Sequence, residues 1–223
     1  MDMILDQFLN FEIMRKVWPL LLRGLGTTLY LCALVIPLGL AGGLLVALLS
    51  LSKRRTVTWA AIALVDLFRA APPLVLLILL YSGLPFAGIN LTPTVAVCLA
   101  FFCNTSSYYG EIYRAGIESV GRGQWEAARS TGLSGLQTLT YVVLPQAVRN
   151  VLPDLLSNTL EVVKLTSLGS VVAMPELLFQ ARQAQSLTYN PTPIVLAAII
   201  YFVMLWPLVR LLSRLENRAL ARG

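Results

Sequence analysis

The 223-residue chain is 57% hydrophobic and only 13% charged, and it has no polar run long enough to form a separate soluble domain. This composition excludes an ordinary soluble protein and predicts an all-α, polytopic membrane protein. Histidine is absent, and no cluster of Cys, Asp and Glu has metal-site spacing, which disfavours hydrolytic and metal-dependent enzymes. The net charge of +6 is expected at membrane edges rather than on a surface that binds nucleic acid.

Long uncharged intervals predict the first three membrane spans. The interval from Gly24 to Ser52 carries no charged side chain and can cross a bilayer once, since a crossing helix needs about 20 residues. The interval from Ala70 to Gly110 is uncharged over 41 residues, about twice that length. Its centre, SGLPFAGINLTP at 82–93, is rich in turn-forming residues and divides it into spans two and three.

Two further spans follow. Val151 to Met174 is apolar but contains Asp154, Glu161 and Lys164, whereas Pro191 to Val209 is uncharged. The sequence therefore predicts about five transmembrane helices that form one membrane domain over 1–223.

The distribution of basic residues predicts the orientation, because Lys and Arg are retained on the cytoplasmic face. If the N-terminus is outside, 11 basic residues are cytoplasmic and 4 are external, while Arg69 and Lys164 belong to the spans. The cytoplasmic set is Lys53, Arg54, Arg55, Arg114, Arg122, Arg129, Arg149, Arg210, Arg214, Arg218 and Arg222, and the external set is Arg15, Lys16, Arg23 and Arg182. The N-terminus is therefore predicted outside and the C-terminus in the cytoplasm.

The longest polar interruption, within 120–147, lies between spans three and four on the cytoplasmic side. Residues 125–129 (WEAAR) form helices well, Gly132 is a natural helix stop, and Ser134 with Gln137 has the spacing of a capping box. This pattern predicts a helix, a turn and a second helix.

The residue pattern of each helix indicates what its surface contacts. The second helix carries an apolar stripe that is expected to hold it against the membrane domain: Leu136, Leu139, Val143 and Leu144. In the first helix, Ala127 and Ala128 are small enough to let another protein approach closely, while Glu126 and Arg129 offer polar contacts. On pattern alone, a docking surface and a solvated amphipathic loop are equally favoured.

The same segment carries a resemblance to a known family. The EAA run at 126–128, Gly132 and the Leu-Pro pair at 144–145 resemble the EAA loop of bacterial ABC importer permeases. EIYRAGIESV at 111–120, with the Gly-Gln that follows, and LFRAAP at 67–72 are similar to runs of the polar amino-acid branch of those permeases. Ala-Ala replaces the branch's usual Gly-Thr in the second run, and Leu165 stands where many members carry Asp.

The resemblance covers roughly 24–209 and implies a permease subunit, located in the bacterial inner membrane, of an ATP-driven importer for a polar amino acid or related compound. It implies three partners besides membrane lipid: a dimer of cytoplasmic ATPases, a second permease that is identical or related, and an extracytoplasmic substrate-binding protein. The implied ATPase-docking residues are Glu126, Ala127, Ala128, Arg129 and Gly132.

The chain has no G-x-x-x-x-G-K-[ST] phosphate loop, so we expect it to have no enzyme activity and no cofactor of its own. ATP and Mg²⁺ are expected in the partner ATPase.

Polar residues within the spans are candidates for the substrate path, because such residues usually face a protein interior or an aqueous path. The candidates are Asn104, Glu161, Lys164 and Ser167. Glu161 and Lys164 are three residues apart, so a structural ion pair is favoured over substrate contact. Hydroxyl groups near Asn104 are expected to bond to backbone more often than to line a cavity.

Arg69 and Glu111 bracket spans two and three on the cytoplasmic side. The two side chains are oppositely charged, so a pair between them would close an inner gate.

A small secondary transporter or channel is the alternative interpretation. It would need ion-coupling residues and usually internal repeats, yet the two halves of the chain show no similarity and the EAA-like segment would have no purpose. An intramembrane enzyme would need a nucleophile with a positioned base or a pair of carboxylates, neither of which the sequence offers.

Overall fold

The computed structural model describes the backbone of residues 7–220 and the side chains of residues 7–214. Arg218 and Arg222, which contributed to the predicted orientation, lie outside the described side chains. Every regular element in the described part is helical, which confirms the predicted all-α class.

From Phe11 onward the helices follow one another with short connections. They are α1 Phe11–Ser50, α2 Arg55–Ala70, α3 Pro73–Ile78, a π-helical turn Leu79–Gly83, a 3-10 turn Leu84–Ala87, α4 Pro93–Glu118, α5 Arg122–Ser130, α6 Gly135–Gln137, a π-helical stretch Thr138–Val143, α7 Leu144–Asn150, α8 Leu152–Leu165, a 3-10 stretch Thr166–Val172, α9 Leu177–Thr188 and α10 Thr192–Leu220.

The first helix is longer than the sequence predicted. Helix α1 has 40 residues and a length of about 60 Å, against about 30 Å for the hydrocarbon core of a bilayer. It begins at Phe11 rather than near Gly24, because the charged residues Arg15 and Lys16 limit burial in lipid but do not interrupt a helix. Helix α2 was missed for a similar reason: its charged residues suggested a connection between spans.

Within the described residues, two helices, α1 and α10, are long and apolar enough to cross a membrane, and two more crossings result if each sharply bent helix pair counts as one. Those pairs are α2 with the helical stretch that starts at Pro73, and α8 with α9. Helix α4 has 26 residues, but the polar run from Asn104 to Ser107 makes its second half less apolar. The chain is thus a polytopic membrane protein, and the count of five stays a prediction.

The sequence predicts one domain over 1–223, and the structure divides the chain into two compact units, each built from separate stretches. The first unit contains Met1–Ile36, Pro73–Phe101 and Leu160–Gly223, and the second contains Pro37–Pro72 and Phe102–Thr159.

In the first unit, parts of α1, α9 and α10 pack around a buried polar junction. The Glu176 carboxylate caps α9 by accepting hydrogen bonds from the backbone N–H groups of Leu178 and Phe179, at 2.8 and 2.7 Å. The Tyr201 hydroxyl of α10 donates to the same carboxylate at 3.1 Å, and the Thr28 hydroxyl of α1 accepts from the Leu177 N–H at 3.1 Å. This junction fixes the start of α9 to both neighbouring helices.

In the second unit, α1 and α4 approach closely at a glycine. A Cβ added to Gly43 would lie 2.5 Å from the Tyr109 Cβ and 2.8 Å from the Gly110 backbone nitrogen. Tyr109 is fully buried, and its hydroxyl lies 2.7 Å from the Thr159 hydroxyl of α8. Because Thr159 donates to the Leu155 carbonyl, Tyr109 is the donor in that contact. The close approach therefore positions a residue that also contacts a third helix.

This packing predicts that Gly43→Ala destabilises the protein by about 1–3 kcal/mol, because the added methyl group meets backbone atoms that cannot move aside. The matched control is Gly26→Ala in the same helix, where no atom lies within 4 Å of the added Cβ. Alanine there should be neutral or stabilising by up to about 1 kcal/mol. The measurement is the thermal unfolding midpoint of the detergent-purified protein, and equal midpoints for the two variants would contradict the packing argument.

Candidate functional site

The predicted helix–turn–helix is present in the second unit. Helix α5 begins at Arg122 rather than at Trp125, and it ends where the Thr131 N–H donates to the Ala127 carbonyl at 3.2 Å. Gly132 follows with φ of +88°, a left-handed conformation that glycine adopts without steric cost. The prediction of a glycine stop at Gly132 is confirmed.

The second helix, which is the unbroken helical stretch of α6, the π-helical residues Thr138–Val143 and α7, begins with the predicted capping box. The Gln137 N–H donates to the Ser134 hydroxyl at 3.3 Å, and the Ser134 N–H donates to the Gln137 side-chain oxygen at 2.8 Å. The Arg129 guanidinium also donates to the Leu133 carbonyl at 3.1 Å and so spans the turn. Short-range hydrogen bonds therefore fix the angle between the two helices.

A small apolar core lies under the turn between α5 and the second helix, which we call the corner (residues 131–134). Val143 and Ala147 of the second helix are fully buried, and they pack with two further buried residues, Ile117 in the last turn of α4 and Val120 just after it. Trp125, Leu139 and Leu144 pack against this core as partly buried neighbours. Three of the four predicted stripe residues thus hold the helix as expected.

The fourth stripe residue does not. Leu136 is 71% exposed, because it lines an open groove with Trp125 and Lys53 instead of entering the packed core. Its position in the first turn after the corner makes it part of the exposed surface.

The five predicted docking residues divide by exposure. Glu126, Ala127 and Arg129 are exposed on one side of α5. Ala128 is only 7% exposed and its small side chain packs within this chain, while its part in docking stays a prediction. Gly132 has open space around its Cα and acts through its backbone conformation.

The polar residues predicted for the substrate path mostly bond within the chain. Asn104 is 2% exposed, and its side-chain amide donates to the Phe68 carbonyl at 3.3 Å. In this structure Asn104 is thus enclosed by the chain, and its place on the substrate path stays a prediction. The Ser167 hydroxyl donates to the Lys164 carbonyl at 2.7 Å, the backbone bond that serine commonly makes in membrane helices.

Glu161 and Lys164 form the predicted ion pair. The Lys164 ammonium lies 2.6 Å from the Glu161 carboxylate, and the two side chains are 54% and 61% exposed, respectively. The predicted ion pair is therefore present, while its role, structural or in contact with substrate, stays a prediction.

Among the described side chains Arg69 and Glu111 form no salt bridge, and the inner gate that they would close stays a prediction. Glu111 accepts hydrogen bonds from Arg114, one of them from Nε at 3.0 Å, and Arg114 also reaches Glu118 at 2.7 Å. Glu111 pairs with Arg114 rather than with Arg69 because residues three apart on one helix are already neighbours, whereas Arg69 lies on another helix. The Arg69 guanidinium instead lies over the Tyr108 ring, 5.4 Å from its centre.

Sequence reasoning overlooked Glu176, because an isolated acid before an apolar helix carries no motif beyond that of an N-terminal cap. It also singled out no metal ligand, and in the part that the structure describes no group of three His, Cys, Asp or Glu side chains is placed to hold a metal ion. Cys32, Cys98 and Cys103 are free thiols.

The chain matches known proteins over most of its length. Residues 39–220 match the family described as "Binding-protein-dependent transport system inner membrane component". A protein of Bacillus subtilis (strain 168) named "Probable amino-acid ABC transporter permease" is 34% identical, with 89% of this chain and 88% of that protein covered. An L-cystine transport system permease of the same organism is 33% identical, with 94% and 90% covered.

A solved structure agrees with these sequence matches. A chain from a crystal structure of an amino acid ABC transporter is 38% identical and superposes with a TM-score of 0.85, with 94% of this chain and 99% of that chain covered. The likeness therefore extends over nearly the whole of both chains.

The exposed ion pair leads to a prediction about Lys164. Lys164→Ala should change the free energy of unfolding by less than about 1 kcal/mol, because exposed pairs contribute little to stability. The measurement is the thermal midpoint of the purified protein, with Glu161→Gln as the matched control. A variant that fails to fold, but folds again when Glu161→Gln and Lys164→Met are combined, would contradict this weak contribution.

Proposed function

Because this chain belongs to the family of binding-protein-dependent transport system inner membrane components, we propose that it forms the translocation pathway of an ATP-driven importer and is coupled to a separate ATPase. The cargo is a polar amino acid or a related compound, in keeping with relatives named for amino acids and for L-cystine. The chain itself carries no enzyme activity in this proposal, and ATP and Mg²⁺ bind to the ATPase.

One observation carries the coupling proposal: α5 presents Glu126, Ala127 and Arg129 outward while its other side is held by the core under the corner. A short helix that is fixed on one side and open on the other transmits a push without bending. When the ATPase dimer closes, it moves α5 and, through Trp125 and Val143, the end of α4 and the π-helical stretch that leads into α7. Such coupling requires two arrangements of the permease that nucleotide and substrate favour differently.

The complete importer in this proposal has an ATPase dimer, this permease, a second permease that is identical or related, and an extracytoplasmic substrate-binding protein. It lies in the bacterial inner membrane in contact with lipid. A small secondary transporter or channel is not favoured, because a self-contained transporter would not use the exposed face of α5 and would not purify with an ATPase.

We further propose the five-span topology with the N-terminus outside and the C-terminus in the cytoplasm, supported by the bias of 11 to 4 basic residues. Helix α4 provides the third span, and its length of 26 residues is sufficient to cross.

Cysteine labelling tests this topology. After replacement of the native cysteines, Lys53→Cys and Gln124→Cys should react with a membrane-impermeant maleimide only from the cytoplasmic side, and Arg182→Cys only from outside. All three positions are exposed, so lack of reaction on one side reports membrane sidedness. Labelling of Lys53→Cys and Gln124→Cys from opposite sides would contradict the topology.

Two substitutions test coupling. Gly132→Val forces a branched side chain into a left-handed conformation at a cost of about 1 kcal/mol or more and should change the angle between α5 and the second helix. Glu126→Lys reverses an exposed charge and should weaken docking by repulsion. Both variants should insert into the membrane normally, yet lose the ATPase during purification or hydrolyse ATP without uptake.

The matched control for the glycine is Gly123→Ala in α5, which has open space and an ordinary backbone conformation. It should keep both the ATPase and uptake. If Gly132→Val and Glu126→Lys behave like this control, the segment is only a solvated connection.

A further inference from the structure

A charged cavity lies in the second unit, where the end of α1 meets α2 and the last turns of α4. Its volume is about 280 Å³. The lining residues are Ser50, Ile62, Val65, Asp66, Arg69, Glu111 and Arg114. Two carboxylates and two guanidinium groups thus share one small space, with aliphatic side chains beside them.

The four charges differ in what they bond to. Arg114 is bonded to both Glu111 and Glu118, so the Arg114 guanidinium and the Glu111 carboxylate are already paired with each other. Asp66 and Arg69 form no ion pair with any side chain in residues 7–214, although they are neighbours on one face of α2. The Tyr108 ring holds the Arg69 guanidinium by its face, which leaves its N–H donors free for a ligand.

We propose that this cavity is a subsite for the ammonium and carboxylate groups of the transported amino acid, where Asp66 binds the ammonium and Arg69 binds the carboxylate. The inference rests on the proposed amino-acid cargo. The volume would hold roughly nine water molecules at about 30 Å³ each, which is enough for a small polar amino acid. Ile62 and Val65 supply apolar contacts for the carbon atoms of the ligand.

The charge pattern favours a zwitterion over other ligands. An anionic lipid headgroup would gain contacts with Arg69 and Arg114 but would be repelled by Asp66 and Glu111. A simple cation would meet the reverse problem. A ligand with both charges, a few ångströms apart, matches the open Asp66 and Arg69 without disturbing the paired Glu111 and Arg114.

The position of the cavity points to release rather than entry. Ser50 ends α1 just before Lys53, which lies on the cytoplasmic side in the proposed topology. Glu111 and Arg114 lie in the last turns of α4, and α5 follows that helix directly. The subsite therefore holds the amino acid at the cytoplasmic end of the path, and motion of α5 reaches it through the end of α4.

The test uses the complete importer with its ATPase and binding protein in proteoliposomes. Uptake of each common L-amino acid is first measured with external substrate and ATP available to the ATPase. An amino acid that the importer accumulates is then loaded in unlabelled form into fresh vesicles. Inhibition of the uptake of the labelled external amino acid is measured over a range of internal concentrations. We expect Arg69→Gln and Asp66→Asn to raise the internal concentration for half-inhibition at least about tenfold, as expected for loss of a charge-assisted contact.

Three controls keep the result specific. Arg55 is an exposed arginine at the other end of α2, and in Arg55→Gln the internal amino acid should inhibit uptake as strongly as in the wild type. Arg69→Lys should restore part of the inhibition because it keeps the positive charge. In wild-type vesicles, the α-carboxamide and the N-acetyl derivative of the same amino acid should inhibit at least about tenfold more weakly than the zwitterion; this arm needs no variant to fold.

The outcomes separate the two levels of the proposal. Two results, each with normal uptake, would overturn the subsite and leave the importer proposal intact. One is unchanged inhibition by internal amino acid in Arg69→Gln and Asp66→Asn. The other is equal inhibition by the zwitterion and its blocked derivatives. Failure to accumulate any amino acid overturns both. A loss of inhibition limited to the two cavity variants and the blocked derivatives supports the subsite.

Discussion

The backbone conformation of Gly132 is the constraint on which the functional surface depends. A left-handed residue at this point ends α5 and turns the chain so that the capping box of Ser134 and Gln137 can start the next helix. Any residue with a Cβ would be strained in that left-handed conformation, and the angle between the two helices would change to relieve the strain. Because the second helix is anchored by Val143 and Ala147, this angle decides how α5 presents Glu126, Ala127 and Arg129.

The two kinds of charged contact in this protein have different consequences. Glu161 with Lys164, and Glu111 with Arg114, are pairs between neighbours on one helix, and they neutralise charge without linking separate elements. The Asp66 and Arg69 side chains make no such pair within the described residues and face a cavity instead. Neutralised charges contribute to tolerance of the membrane environment, whereas unneutralised ones are available for a ligand.

Local signals in the sequence predicted local structure well. The stop at Gly132 and the capping box are determined by a few consecutive residues, and both are confirmed. The burial of Ala128 and the exposure of Leu136 could not be predicted from the sequence, because burial depends on which elements pack nearby, information that helical spacing does not contain. The same limit explains Arg69, whose sequence suggested an acidic partner while the fold placed the Tyr108 ring beneath it.

Site-specific crosslinking tests the central claim, that α5 docks into an ATPase with one defined face. A short photo-crosslinker is attached to Ala127→Cys, which is exposed, and separately to Ala128→Cys, which is buried beside it, after removal of the native cysteines. In the assembled importer, docking by this face predicts a permease–ATPase product from position 127 and little or none from position 128. No product from position 127 in an intact complex, or equal products from both positions, would contradict it.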